Sequence, residues 1–222
     1  MLTAAVIPAY NEENNIGGII SQIKNLFDFV VVVDDGSFDR TFSVVESLKG
    51  GNVFLLRHRV NLGKGAALRT ACRAAVRLGA EIIATIDGDG QHPPQYALEM
   101  IRKLENDNLD IVFSVRQGGN KMPLIRRVGN NLINWAVRSF FNLNLRDLWC
   151  GLRVIRASIL PKINWTSNDY AGEVQMALKV GQNNLHYGEY FIPILYNNRF
   201  KGVMIIDGLK VLTLIILWRI RL

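Results

Sequence analysis

The chain has 222 residues, 49% of them hydrophobic, and a formal net charge of +7, which is enough apolar material for one sizeable domain with its own core. That charge suits a nucleic acid, an anionic membrane surface or a phosphate-bearing substrate and does not choose among them. Cys72 and Cys150 lack metal-binding spacing and read as free thiols of a reducing compartment, no repeat or low-complexity linker divides the chain, and no signal peptide is expected before a first strand that begins almost at Met1.

In chain order, strands alternate with helices, which predicts a largely parallel sheet covered on both faces. Thr3 to Ile7 is a strand ended by Pro8-Ala9-Tyr10-Asn11-Glu12-Glu13, and Asn15 can cap a helix from Ile16 to about Leu26. Phe29 to Val33 is a second buried strand, closed by Asp34-Asp35-Gly36-Ser37, with Asp39 placed to cap a helix through Leu48. Asn52 to Leu56 is a third strand. Asn61-Leu62-Gly63-Lys64-Gly65 then opens a helix through Leu78. The run Ile82-Ile83-Ala84-Thr85-Ile86 is a fourth strand, followed by a helix near Gln95 to Glu105 and a strand from Ile111 to Val115.

The fourth strand stops at Asp87-Gly88-Asp89-Gly90-Gln91. In an open α/β sheet, ligands sit beyond the carboxyl ends of the strands, so Asp87 and Asp89 would project into the binding crevice. Two adjacent carboxylates repel unless a cation lies between them, which suggests Mg²⁺ or Mn²⁺ with a diphosphate as co-ligand; the plain alternative is an acidic turn. An EF-hand is excluded, because Leu98 stands where that loop needs its bidentate glutamate. Pro8, Tyr10 and Glu12 could wall a nucleotide pocket, and Asp35 could take a ribose hydroxyl or a base edge. Each alone could equally be a turn or a cap. Gly63-Lys64-Gly65 resembles a phosphate loop only loosely and is not a Walker motif, and no G-x-G-x-x-G follows the first strand. Arg69, Arg73 and Arg77, spaced i, i+4, read as a solvated face.

Four ordered segments, Val6-Ile7-Pro8-Ala9-Tyr10-Asn11-Glu12-Glu13, Val32-Val33-Asp34-Asp35-Gly36-Ser37, Asn61-Leu62-Gly63-Lys64-Gly65 and Asp87-Gly88-Asp89-Gly90-Gln91, resemble glycosyltransferase family 2, the inverting nucleotide-sugar enzymes with the GT-A fold. The Asp-Gly-Asp-Gly-Gln-His-Pro-Pro form is similar to the dolichyl-phosphate mannose and glucose synthase branch, and the likeness runs to about Arg199. It implies a mostly parallel sheet flanked by helices, and a donor site drawn from Pro8, Tyr10, Glu12, Val33, Asp35, Lys64, Asp87, Gln91 and Arg199. It further implies that Asp87, Asp89 and Gln91 hold the metal and donor diphosphate. Arg116 and Arg126-Arg127 sit where that branch grips the acceptor phosphate, Asp147-Leu148-Trp149-Cys150-Gly151-Leu152-Arg153 matches a stretch bordering the active site, and Glu173 opens a further helix at a position where the family also has a glutamate.

The stretch from Leu124 to Phe141 is amphipathic and reads either as a surface helix on the core or as an interfacial one. Beyond Arg199 the chain departs from the branch, with Ile205 where its lysine is expected and Lys201 or Lys210 as substitutes. The sequence divides into a GT-A domain over 1–202 and a basic, Trp-bearing amphipathic tail over 203–222, whose uncharged run Val211 to Trp218 falls short of the roughly 20 residues of a spanning helix. The tail would lie in a membrane interface or dock on its own core or a partner.

The expected activity is transfer of a hexose from GDP-mannose, UDP-glucose or UDP-N-acetylglucosamine to a polyprenyl (dolichyl) phosphate. It would take place at the cytoplasmic face of a membrane to which the protein attaches peripherally, through its helices, lipid charge or a membrane-anchoring subunit. In that reading Asp89, with the arginines, carries the catalysis. Alternatives are a saccharide acceptor, which needs a carboxylate base such as Asp147 or Glu173, and a non-catalytic nucleotide- or membrane-binding adaptor. Nucleic acid is the weakest partner, since no recognised module accompanies the charge.

Overall fold

The computed structural model describes residues 1–90, 93, 95–117, 137–193 and 213. The expectations for Gln91, Arg126, Arg127 and Arg199, for most of the 124–141 helix, and for nearly all of the tail lie outside these residues. Among the described residues no helix is long and apolar enough to cross a membrane.

The elements run β1 (Thr3–Ala9), α1 (Ile16–Ile23), β2 (Phe29–Asp34), α2 (Thr41–Leu48), β3 (Val53–Arg57), α3 (Lys64–Arg77), β4 (Ile82–Thr85), α4 (Tyr96–Asn106) and β5 (Ile111–Gln117), then β6 (Arg153–Arg156), α5 (Ala171–Gln182) and β7 (Tyr187–Pro193). Among the described residues the strands form one seven-stranded sheet in the order β3-β2-β1-β4-β6-β5-β7. Every pairing is parallel except those of β6, which runs against both β4 and β5. The expected parallel α/β sheet is therefore present, with β6 and β7 added to the strands foreseen.

Successive side chains of a strand face opposite ways, and a sheet covered on both sides is apolar on both. Val31 and Val33 of β2 and Ala4 and Val6 of β1 enter one core, with Ala67, Leu68, Ala71 and Ala75 of α3 and Val174, Ala177 and Leu178 of α5. Val30 and Val32, with Ala5 and Ile7, enter the other, against Ile16, Ile19, Ile20 and Ile23 of α1 and Ala97, Met100, Ile101 and Leu104 of α4. The α1 and α4 sets follow the i, i+3, i+4, i+7 spacing of one helix face, whereas α3 reaches the sheet mainly through alanines, which let it lie close. Asp39 accepts from the Thr41 amide at 2.9 Å and from the Thr41 hydroxyl at the start of α2. Asn15 makes no capping bond and instead donates to Glu12 at 2.8 Å.

Neither cysteine is in a disulfide and both are buried, Cys150 Sγ accepting from the Ser114 hydroxyl at 2.8 Å. Burial pushes the Cys72 thiol up to about 12, and burial together with the Asp147 charge pushes Cys150 up to about 11, from an ordinary 9.0. A pKa raised in the folded state means that the native protein binds more protons than the unfolded chain above pH 9. The thiols' contribution is therefore intact below that pH and is lost as pH rises from about 9 towards the folded values, on the order of 1 kcal/mol per pH unit per thiol. Urea denaturation between pH 8 and 11 should show this loss, and its slope should be shallower in Cys72→Ala than in the wild type.

Candidate active site

The carboxyl ends of β1, β2 and β4 lie side by side, and the polar residues that follow them share one cleft, as strand order in an open α/β sheet requires. At the end of β2, the buried Asp34 accepts from the Ser37 amide and pairs with Arg57 Nε at 3.0 Å. Asp35 is 2% exposed, and its carboxylate receives His58 Nδ1 at 2.6 Å, the Leu62 amide at 3.0 Å and the Gly63 amide at 2.8 Å. The other His58 nitrogen lies 3.0 Å from Thr70 Oγ1. Asp35 thus fastens the 58–63 loop, and one of its oxygens already takes two of these bonds. Gly63 closes that loop at φ +96°, where a side chain would meet the Asn168 carbonyl at 2.5 Å; only glycine fits both demands.

Pro8 and Val33 are buried strand residues, and the Val33 side chain belongs wholly to the core, leaving only its backbone near the cleft. Tyr10 is exposed at the rim, edge-on to Phe38, which is 88% exposed. The Glu12 amide donates to Thr41 Oγ1 at 2.8 Å.

The centre of the cleft is Lys64, the first residue of α3. Its ammonium lies 2.6 Å from Asp87 Oδ1 and 3.0 Å from Glu173 Oε2, with the Tyr170 ring centroid at 5.6 Å. Burial works against this charge, but the pull of Asp87 and Glu173 and the hydrogen bonds to both exceed it, so Lys64 is held above the ordinary lysine range. Asp87 in turn rests on Gly151: a Cβ there would fall 2.5 Å from Asp87 Oδ1 and 2.6 Å from its Cγ. Gly151 is held from below, because its carbonyl accepts the buried Thr85 hydroxyl at 2.6 Å and Thr85 Oγ1 accepts the Arg153 amide at 3.1 Å.

Arg116, at the end of β5, is clamped by Asp147 through Nε–Oδ2 at 2.6 Å and Nη2–Oδ1 at 2.9 Å. Burial opposes its charge, but the hydrogen bonds and charge of Asp147, with smaller help from Cys150 and Asp87, hold it above the ordinary range. Arg153 is 1% exposed; its Nη1 donates to the Glu173 carbonyl at 2.7 Å and its Nη2 to the Leu148 carbonyl at 3.1 Å, which joins the start of α5 to the Asp147 loop. Lys64 and Asp87 are therefore in contact, and Arg116 lies at the same edge of the sheet, at the carboxyl end of β5 across β6 from β4, with Asp89 two residues beyond Asp87. The sequence did not point to the partnerships of Lys64 with Glu173, Arg116 with Asp147, Asp35 with His58, and Asp87 with Gly151; charge and glycine spacing were the only signals, and neither specifies a partner far along the chain.

Asp87 and Asp89 offer hard oxygen donors, and Mg²⁺ or Mn²⁺ is commonly bound by one or two carboxylates with substrate phosphates and water completing the shell. Among the described residues no three His, Cys, Asp or Glu side chains gather into a ready cage. The donor set thus fits a metal that arrives with a diphosphate, on a carboxylate that already carries an ammonium.

A parallel α/β sheet whose strand ends carry such carboxylates is the architecture of the GT-A glycosyltransferases. The structure of glucosyl-3-phosphoglycerate synthase from Mycobacterium tuberculosis, in complex with Mn²⁺, UDP and phosphoglyceric acid, superposes with a TM-score of 0.75 at 18% identity, covering 98% of this chain and 78% of that one. The model of glycosyl transferase family 2 matches residues 4–163, and the chain belongs to that family. A protein of Methanocaldococcus jannaschii with no assigned function is 33% identical over 87% of this chain and 88% of its own. The UDP-N-acetylglucosamine–dolichyl-phosphate N-acetylglucosaminyltransferase of Methanococcus voltae is 28% identical over 93% of this chain and 91% of its own.

Gly151→Ala should displace Asp87 and cost about 1–3 kcal/mol of stability, the usual range for overpacking a fixed site. In an Asp87→Ala background, where the carboxylate is gone, the same change should cost little. A double-mutant cycle by urea denaturation checks this; additive costs would mean that the two residues do not contact.

Proposed function

We infer that this family 2 enzyme transfers a hexose from a nucleotide-diphosphate sugar to a polyprenyl phosphate, with inversion at the anomeric carbon. The observation that carries the reading is one sheet edge that bears both the Asp87 and Asp89 carboxylates after β4 and, at the end of β5 across β6, an Arg116 cation clamped by Asp147; we assign the first to a metal-diphosphate and the second to a second phosphate. The Methanococcus voltae relative supports it by the substrates in its name. The domain is taken as residues 1–202, with the 203–222 tail and lipid charge holding the protein at the cytoplasmic face of a membrane.

Pro8, Tyr10, Glu12 and the backbone of Val33 line the nucleoside side, to which the buried Asp35 contributes by fixing the 58–63 loop rather than by a free carboxylate; Arg199 is assigned to the donor. Asp87, Asp89 and Gln91 would hold Mg²⁺ or Mn²⁺, which when bound supplies neutralising charge to the leaving diphosphate. Arg116, kept in place by Asp147, holds the acceptor phosphate in line with Arg126 or Arg127, so part of the rate gain is positioning. A phosphate monoester is already an anionic nucleophile near neutral pH and needs no base. A saccharide hydroxyl would need one, and the two carboxylates considered for it are both engaged, Asp147 with Arg116 and Glu173 with Lys64. That engagement favours the lipid phosphate.

The test is a transfer assay with labelled UDP- and GDP-sugars, Mg²⁺ or Mn²⁺, and polyprenyl phosphate added or omitted, with UDP-N-acetylglucosamine first in the panel. Label should enter the organic phase only when lipid and metal are both present. Donor hydrolysis with no lipid product would move the acceptor to a saccharide, and no turnover of any donor would favour an adaptor. Asp89→Asn should lower turnover by about 100-fold or more, the scale of removing a group that stabilises developing charge, with its circular dichroism unchanged. Full activity in that variant would remove the metal assignment.

A further inference from the structure

We propose that Lys64 is a resident counter-cation that competes with the divalent metal for Asp87, and that Glu173 is the positioning residue that sets the strength of that competition. The inference rests on the metal reading given above. Asp87 cannot swing away from Lys64 towards β6, because its carboxylate already lies against the Cα of Gly151 with no room even for a methyl group. A divalent ion on that carboxylate meets an ammonium 2.6 Å from Oδ1, and two cations cannot share one oxygen without strong repulsion. One of the two must yield. The ammonium is the one on a long, rotatable stem.

The structure supplies the place to which it yields. Glu173 Oε2 is already 3.0 Å from the same nitrogen. Its backbone is fixed, since it stands in the first turn of α5 and its carbonyl accepts Arg153 Nη1 at 2.7 Å. The Tyr170 ring, its centroid 5.6 Å from the ammonium, also offers the cation its face. A small rotation of the lysine therefore exchanges two carboxylate partners for one. In the metal-free protein the ammonium is shared between Asp87 and Glu173; with metal bound, Glu173 keeps the lysine in the cleft. Glu173 touches no reacting atom in this scheme and acts only through Lys64.

The measurement is Mn²⁺ binding to the full-length protein with no nucleotide, followed by the electron paramagnetic resonance signal of free Mn²⁺. Lys64→Met and Lys64→Gln, the second of which keeps a hydrogen-bond donor, should both bind Mn²⁺ about tenfold or more tightly than the wild type, the scale on which a neighbouring opposite charge perturbs a carboxylate. Glu173→Gln should bind it several-fold more weakly, because the lysine then has Asp87 as its sole carboxylate, an estimate on the same scale. In the Lys64→Met background the Glu173→Gln change should have almost no effect. Unchanged or weaker binding in both Lys64 variants would overturn the competition. An equal effect of Glu173→Gln in the two backgrounds would overturn the positioning role, since Glu173 would then act on the ion directly. Asp89→Asn separates the two levels. If it abolishes binding while the Lys64 variants match the wild type, the metal reading stands and the competition fails. If it leaves binding unchanged, the metal reading itself fails and takes the competition with it.

Discussion

One ammonium seated between two carboxylates ties the molecule together. Lys64 begins α3, Asp87 follows β4 and Glu173 begins α5. A half-withdrawn ion group of this kind contributes little net stability, because removing charges from water costs nearly what their attraction returns. Losing one member is different, since it strands the others in a low-dielectric cleft. The group therefore acts less as a fastener than as a requirement of registration: α3, β4 and α5 must come together so that three charges meet within hydrogen-bonding reach. The surrounding backbone serves that requirement. The 166–169 segment crosses the start of α3, where Trp165 Nε1 donates to the Gly65 carbonyl and the Ala66 amide to the Asn168 carbonyl. Arg69 secures the same segment through the Trp165 carbonyl and Asn168.

The first five strands were legible because short apolar runs alternate with helical patterns, those of β2 and β4 stopping abruptly at aspartates, and because α1 and α4 place their apolar residues on one helical face. β6 was not, and the reason is Arg153. A four-residue strand with arginine at each end looks like surface, yet the first of those arginines is buried, its charge spread over two carbonyls and the Phe113 face. β7 mixes Tyr, Gly and Glu at a sheet edge and has no clear alternation. The same arginine ambiguity recurs at Arg69, which sits in an i, i+4 ridge that reads as solvated and nevertheless holds the Trp165 carbonyl and the Asn168 side chain.

In the site, local signals were readable and pairings were not. Two carboxylates at a strand end announce themselves through their spacing. The placement of Asp35 at the end of β2 was equally plain, but not that its carboxylate would be so fully engaged by His58 and two loop amides. Asp147 reads as a possible base until Arg116 is seen to occupy both of its oxygens. Such partnerships depend on which loop folds over which strand end, and that is decided by the packing of the whole sheet.

The reversed strand has a consequence in time. Because β6 runs against β4, with Thr85 opposite Arg153, residues that enter β6 lie at the same edge as residues that leave β4. A ribosome delivers β1 to β4 and the carboxylates at their ends first, as neighbours in the sheet. Gly151 and Glu173, against which Asp87 and Lys64 are set, emerge much later. During synthesis the first half can pair its strands in order while its charges stay hydrated, and Asp87 and Lys64 gain their later partners only when the second half packs on.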